Sequence, residues 1–164
     1  MDVSKSHTYG ASVDAVVDMF GDPDAVTARY AGMGHRDIEI RSCERTDDAL
    51  TVVSSRVVDV DLPGFAKKVL KPTNTVISTD HWRDFGDGTY GGTFSADTKG
   101  APIKVSGTTR ITAAGPTRTH YVVTTTIDVK VPLIGGKIAD FSKGIINGQM
   151  DDEFRLGDAW LTSH

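Results

Sequence analysis

Between Thr119 and Lys130 the chain alternates without a break, with Thr119, Tyr121, Val123, Thr125, Ile127 and Val129 on one parity and His120, Val122, Thr124, Thr126, Asp128 and Lys130 on the other. A period of two is that of a β-strand with one buried face, so the first set is expected to point inward. Similar inward rows are Ile103, Val105, Gly107, Thr109, Ile111 and Ala113, then Tyr90, Gly92, Phe94 and Ala96, then Ile38 and Ile40 against Asp37, Glu39 and Arg41. Breaks at 46–48, 62–72, 86–88, 99–102 and 115–116 divide the stretch from His35 to Val131 into six strands. One-sided alternation predicts an antiparallel sheet with one solvated face.

The flanks read differently. Val3 to Tyr9 is a short strand, and Ser12 is a helix N-cap ahead of an apolar set at Val13, Val16, Val17 and Phe20. Asp22 followed by Pro23 caps a second helix that carries Ala25, Val26, Arg29 and Tyr30 and stops at Gly32 and Gly34. From Leu133 to Leu161 there is no proline, and Ile134, Ile138, Phe141 and Ile145 recur at helical spacing, which predicts one long C-terminal helix. A sheet with one apolar face must be covered, and this helix is the only long element left to cover it. The expected architecture is α+β: a curved antiparallel sheet wrapped around a long C-terminal helix, with two short helices after the first strand.

Composition narrows the function classes. A chain of 164 residues with 38% hydrophobic and 24% charged residues fits one soluble domain spanning 1–164. A net charge of −4 with scattered Lys and Arg gives no basic stripe, which argues against nucleic acid as a partner. No secretory signal and no membrane-length apolar run occurs, so a cytoplasmic protein is expected. The single cysteine, Cys43, excludes an internal disulfide, and no metal-ligand spacing or cofactor motif is present, so neither a metal nor a cofactor is expected. Gly86-Asp87-Gly88 is a hairpin turn, not a phosphate cradle.

The order strand, two helices, six strands, long helix resembles the helix-grip arrangement of the START and Bet v 1-like (SRPBCC) superfamily of hydrophobic ligand binders, lipid carriers and polyketide cyclases. Through LPGFAKKVLKP, HWRDFGDGTYGGTFSADTKGAPIKVSG and VPLIGGKIADF it resembles, within that superfamily, a bacterial family of unassigned function. The resemblance implies a cavity between sheet and long helix, entered near the loops and the helix N-terminal end. It implies no particular reaction.

The residues expected to line such a cavity are Ile40, Val52, Arg56, Phe65, Trp82, Tyr90, Phe94, Val105, Tyr121, Val123, Ile138, Phe141 and Ile145. Arg56 shares parity with Leu50, Val52, Val58 and Val60, so a regular strand aims its guanidinium inward, whereas a bulge would turn it out. Trp82 either lines the cavity or caps the core. The apolar residues Leu62, Phe65, Val69 and Leu70, with Lys67, Lys68 and Lys71 beside them, read as a gate over the mouth or as a patch for transient membrane contact. Gly135 and Gly136 open the long helix, and Gly144 and Gly148 follow; close backbone packing and freedom to tilt are the two explanations.

Titratable groups on the inward rows are few. Asp80, His81 and Asp84 flank Trp82, but neighbours on a strand face opposite sides, so they are not expected to converge as a catalytic dyad. Three readings stay open. The first is a binder, carrier or sequestering protein for a hydrophobic or lipid-like small molecule. The second is a cyclase or dehydratase on a polyketide-like substrate, with Arg56 or Tyr121 polarising a carbonyl. The third is an interaction module whose interior is filled by side chains. Neither the ligand nor the oligomeric state is fixed by the sequence.

Overall fold

The computed structural model describes residues 1–164. Along the chain lie β1 (Asp2–Tyr9), α1 (Val13–Phe20), α2 (Pro23–Gly32), β2 (Arg36–Arg45), β3 (Ala49–Asp59), β4 (Thr73–Asp84), β5 (Tyr90–Thr98), β6 (Ile103–Gly115), β7 (Arg118–Val129) and α3 (Gly135–Ser163). Local chemistry starts both short helices. Ser12 Oγ accepts from the Ala15 N–H at 3.2 Å, and Asp22 accepts from the Asp24 N–H at 2.8 Å with Pro23 at the first helical position. No side chain caps α3; Leu133 takes a left-handed φ of 68° before it, so the helix opens at Gly135 and not at Leu133.

The seven strands form one antiparallel sheet in the order β1-β7-β6-β5-β4-β3-β2. This is the helix-grip α+β fold that the alternation predicts. Successive hairpins put the β3–β4, β5–β6 and β7–α3 connections at one end of the sheet and the β2–β3, β4–β5 and β6–β7 turns at the other. Curvature requires glycine on the concave face: a Cβ at Gly107 would lie 2.0 Å from the Thr124 carbonyl oxygen, and one at Gly92 would lie 2.4 Å from that of His81.

Burial follows the alternation along β7, where Thr119, Tyr121, Val123, Thr125 and Ile127 are all buried. Ala113 departs from its row. It is exposed near the end of β6, where a register shift separates the Ala113–Thr119 pair from Gly115–Arg118. The core gathers at the end where α1 and the second half of α3 meet the sheet, around Tyr9, Val16, Val17, Phe20, Leu50, Trp82, Ile111, Met150 and Phe154. No helix is long and apolar enough to cross a membrane.

Candidate functional site

Away from that core, the sheet and α3 enclose three chambers in a row. The outer one, about 150 Å³, is walled by Val58, Val76, Ala96 and Val105 of the strands and by Phe141, Ile145 and Ile146 of α3, with Leu62, Leu70 and Lys71 of the β3–β4 loop at its opening. An apolar void of that order admits a benzene-sized group. A second chamber, about 120 Å³, shares Arg56, Ala96, Val105, Ile146 and Gln149 with the first and continues past Phe94, Val123, Thr109 and Asp80. The third, about 40 Å³, shares Tyr30, Asp80, Tyr121 and Glu153 with the second and is closed by Tyr9, Phe20, Val52 and Trp82. The lining thus grades from aliphatic at the mouth to polar and aromatic at depth.

Arg56 stands where the first two chambers meet. β3 pairs with β4 in unbroken register, and the irregularities of the β2–β3 pair fall on β2, so no bulge turns Arg56 outward. Its Nε donates to His35 Nδ1 at 3.1 Å and a terminal nitrogen donates to Ser78 Oγ at 2.8 Å. Its guanidinium also sits 4.0 Å from the centroid of the Tyr30 ring. His35 accepts from Arg56, so its imidazole is neutral; burial first, and the Arg56 charge second, depress it to about 4.

Deeper in, Asp80 shares the inward face of β4 with Val76, Ser78 and Trp82. Burial raises its carboxyl to about 7, with the Glu153 charge adding to the rise and Arg29 and Arg56 opposing it. No salt bridge joins Asp80 or Glu153 to either arginine. Burial also holds Tyr121 well above the ordinary phenol range, so its hydroxyl stays neutral and can donate. Three polar atoms on these walls, Arg29 Nε, Trp82 Nε1 and Thr109 Oγ1, have no partner in the protein, and Ser54 Oγ is a fourth such atom nearby on β3. Leaving a buried polar group unpaired costs about 1–3 kcal/mol, so these atoms favour an occupant that can hydrogen-bond.

Of the residues expected at the site, Arg56, Phe94, Val105, Tyr121, Val123, Phe141 and Ile145 line the two larger chambers. Val52 and Trp82 close the innermost one, and Trp82 also stacks on Phe20 at 5.2 Å, so it serves wall and core together. Phe65 stands outside, on the rim, edge-on to Phe141 at 6.4 Å. Three positions fall elsewhere. Ile40 is on edge strand β2 and packs against the core, Tyr90 starts β5 at the far end of the sheet, and Ile138 is fully buried but touches no chamber.

Asp80 and His81 do point to opposite faces, as strand geometry requires; His81 bonds Thr51 Oγ1 at 2.8 Å on the convex side. The second carboxyl that lines the same chambers as Asp80 comes instead from α3, as Glu153. Asp80 on β4, Glu153 on α3 and Arg29 on α2 converge without any spacing in the sequence to announce it. The parity of Val76, Ser78, Asp80 and Trp82 was the one available signal.

The glycines of α3 are also placed. A Cβ at Gly136, Gly144 or Gly148 would meet nothing within 4 Å, and one at Gly135 would meet only the Val129 carbonyl oxygen at 3.8 Å. Close backbone packing therefore does not account for them.

Several solved structures share the fold. TTHA0849 from Thermus thermophilus is 13% identical with a TM-score of 0.69, over 99% of this chain and 98% of that one. The Zhui aromatase/cyclase from a Streptomyces species is 17% identical with a TM-score of 0.68, over 99% and 93%. Human STARD10 is 14% identical with a TM-score of 0.62, over 99% of this chain and 66% of that one. At such identities the likeness is one of fold alone. Among curated proteins no sequence match was found. Residues 4–161 match a family described as a protein of unknown function, DUF2505, and the chain belongs to that family, on a START and Bet v 1-like fold.

Proposed function

We propose that the protein binds a hydrophobic small molecule with one polar end, and that it sequesters or carries that molecule. The apolar body lies in the outer chamber and the hydroxyl or carbonyl end reaches Arg56, Thr109 and the Asp80 region. The observation that carries this reading is the gradient along one continuous lining, from Val58, Val76 and Ile145 at the mouth to Arg56, Asp80 and Tyr121 at depth. Ligand sites of this kind are mostly apolar with a few placed polar groups. The β3–β4 loop at the opening and the glycine-weakened start of α3 supply a gate.

The test is titration with a fluorescent fatty acid, comparing wild type with Ala96→Phe, which fills the wall shared by the two larger chambers. Saturable binding to wild type and its loss in a variant that still melts cooperatively is the expected result. Equal binding by both proteins, or none by wild type, would remove the reading.

One observation favours a second reading, an enzyme of the cyclase or dehydratase type. Asp80 keeps its proton close to neutral pH beside a second carboxyl and a neutral tyrosine, an arrangement suited to proton transfer at a carbonyl. Proton NMR in heavy water, following α-hydrogen exchange of an enolisable 1,3-diketone, separates the two. Exchange that wild type accelerates and Asp80→Asn does not supports the enzyme, and no acceleration supports the carrier.

A further inference from the structure

The lysines are distributed over the molecule with a strong bias. Lys67, Lys68 and Lys71 are in the β3–β4 loop, Lys99 is between β5 and β6, Lys130 follows β7, and Lys137 is in the first turn of α3. Lys104 and Lys143 follow within a few residues, and only Lys5 lies away from this end. Lys5 is also the only lysine in an ion pair, with Asp151. The acids of the mouth end are fewer. They are Asp2, Asp37, Asp59, Asp61, Asp97, Asp128 and Asp140, seven against the eight lysines together with Arg36, which pairs with Asp59 and Asp37. Since the whole chain carries −4, the mouth end is basic against an acidic remainder, with Asp14, Asp47, Asp48 and Asp87 toward the opposite end.

The same end carries protruding apolar side chains. Leu133 is 104% exposed at the tip of the β7–α3 connection, and Phe65 is 38% exposed on the rim. A leucine left wholly in water on a left-handed residue serves no contact within the chain. Phe85, exposed at the opposite end, differs: its ring covers Gly91 and lies 5.5 Å from the Arg110 guanidinium. Lys137 Nζ, by contrast, reaches over the Phe65 ring at 5.9 Å, keeping charge and apolar surface side by side as snorkelling residues do.

We propose that the mouth end docks reversibly on an anionic lipid bilayer, with Leu133 and Phe65 entering the headgroup region and the surrounding lysines meeting lipid phosphates. The charge complementarity is that of a polybasic surface with an anionic leaflet. Two short apolar insertions give a weak, salt-sensitive attachment and not a permanent one. The outer chamber opens between these same elements, at Leu62, Leu70, Lys71 and Phe141, so a ligand could pass between bilayer and cavity without crossing bulk water. Docking rests on surface features alone and stands apart from what the cavity holds.

The experiment is flotation of the full chain with vesicles of phosphatidylcholine containing 30–40 mol% phosphatidylglycerol (about one anionic lipid in three), against vesicles of phosphatidylcholine alone, at low and at high salt. Wild type should float with the anionic vesicles at low salt, at least tenfold more than with neutral ones, and salt should release it. Lys67→Glu with Lys68→Glu, and separately Leu133→Asp, should each lower binding about tenfold. Arg118→Glu, on the β6–β7 side, should leave it unchanged. None of these residues lines a chamber, so fatty-acid titration of the same variants should match wild type, and failure of docking would leave the binding reading intact. No flotation with anionic vesicles, equal flotation with neutral ones, or undiminished binding by both mouth variants overturns the proposal; the first is also the result an acidic protein partner would give.

Discussion

The two halves of α3 are built by opposite rules. From Met150 onward the helix is held on several sides. Phe154 stacks on His7 at 4.9 Å and meets Tyr121 edge-on at 6.2 Å, and His7 in turn bonds Asp158 at 2.9 Å. Even the glycine there is a packing residue, because a Cβ at Gly157 would lie 2.9 Å from the Tyr9 ring. The first half has no side-chain cap and four glycines with free space around them. Each costs about 0.5–1 kcal/mol of helix stability relative to alanine, and no close contact offsets it. Ile138, Ala139 and Ser142 are buried in the first half as well, so what separates it from the anchored half is the backbone that its glycines and missing cap weaken. One helix thus anchors the closed end and loosely roofs the chambers.

The largest effect is expected from the anchored half. Phe154→Ala should cost about 3–5 kcal/mol in chemical denaturation, the usual range for removing a buried aromatic ring. A cost below about 1 kcal/mol would mean that the closed end is not the anchor. Gly157→Ala should destabilise by about 1–3 kcal/mol through overpacking against Tyr9.

The chambers between the two halves add a pH dependence. Folded Asp80 keeps its proton to about 7, whereas an unfolded aspartate loses it near 3.8, so between those values the folded state binds more protons. Stability from this group is therefore complete below about pH 4 and is lost as pH rises toward 7. Asp80→Asn does not titrate, and its stability relative to wild type should rise across that window by about 1–3 kcal/mol and then level. His35 works in the opposite direction. Depressed to about 4 from 6.5, it contributes stability above about pH 6.5 that is lost as pH falls toward 4. The wild-type curve is thus flatter than either group alone would make it, and only the difference between variant and wild type isolates Asp80. A difference that stays constant from pH 4 to 8 would place Asp80 in contact with solvent.

The smallest effect has the opposite sign. Gly144→Ala and Gly148→Ala should each raise stability by about 0.5–1 kcal/mol, since both sites are exposed and helical. The pair should also slow ligand release and amide exchange in the first half of α3. Destabilisation by either would reveal a contact that contradicts the loose roof.

Much of this fold was legible because its signals are local. Caps at Ser12 and Asp22, breaks at glycine and proline, and strict alternation along β7 each act within a few residues, and each produced the expected element. Arg56 was legible up to one alternative, which the unbroken β3–β4 register removed. The polar depth of the cavity was not. Asp80, Glu153 and Arg29 line one chamber because tertiary packing carries α3 and α2 over the sheet, and no spacing along the chain encodes that placement. The same limit applies to Ile138 and Tyr90, which line none of the three chambers. Periodicity marks a residue as inward, but which inward residues face a void and which face neighbouring atoms depends on packing volume at each level of the sheet. The basic mouth was hidden likewise: its lysines are scattered in sequence and gather only when three loops share one end.

The most direct measurement is native mass spectrometry of the protein purified from its own source, compared with Ala96→Phe prepared identically. The expected result is a discrete adduct of a hydrophobic small molecule on wild type, released on denaturation and absent from the filled variant. Bare mass for both proteins, together with no fatty-acid binding by wild type, would contradict a ligand cavity under α3 and would favour the interaction module.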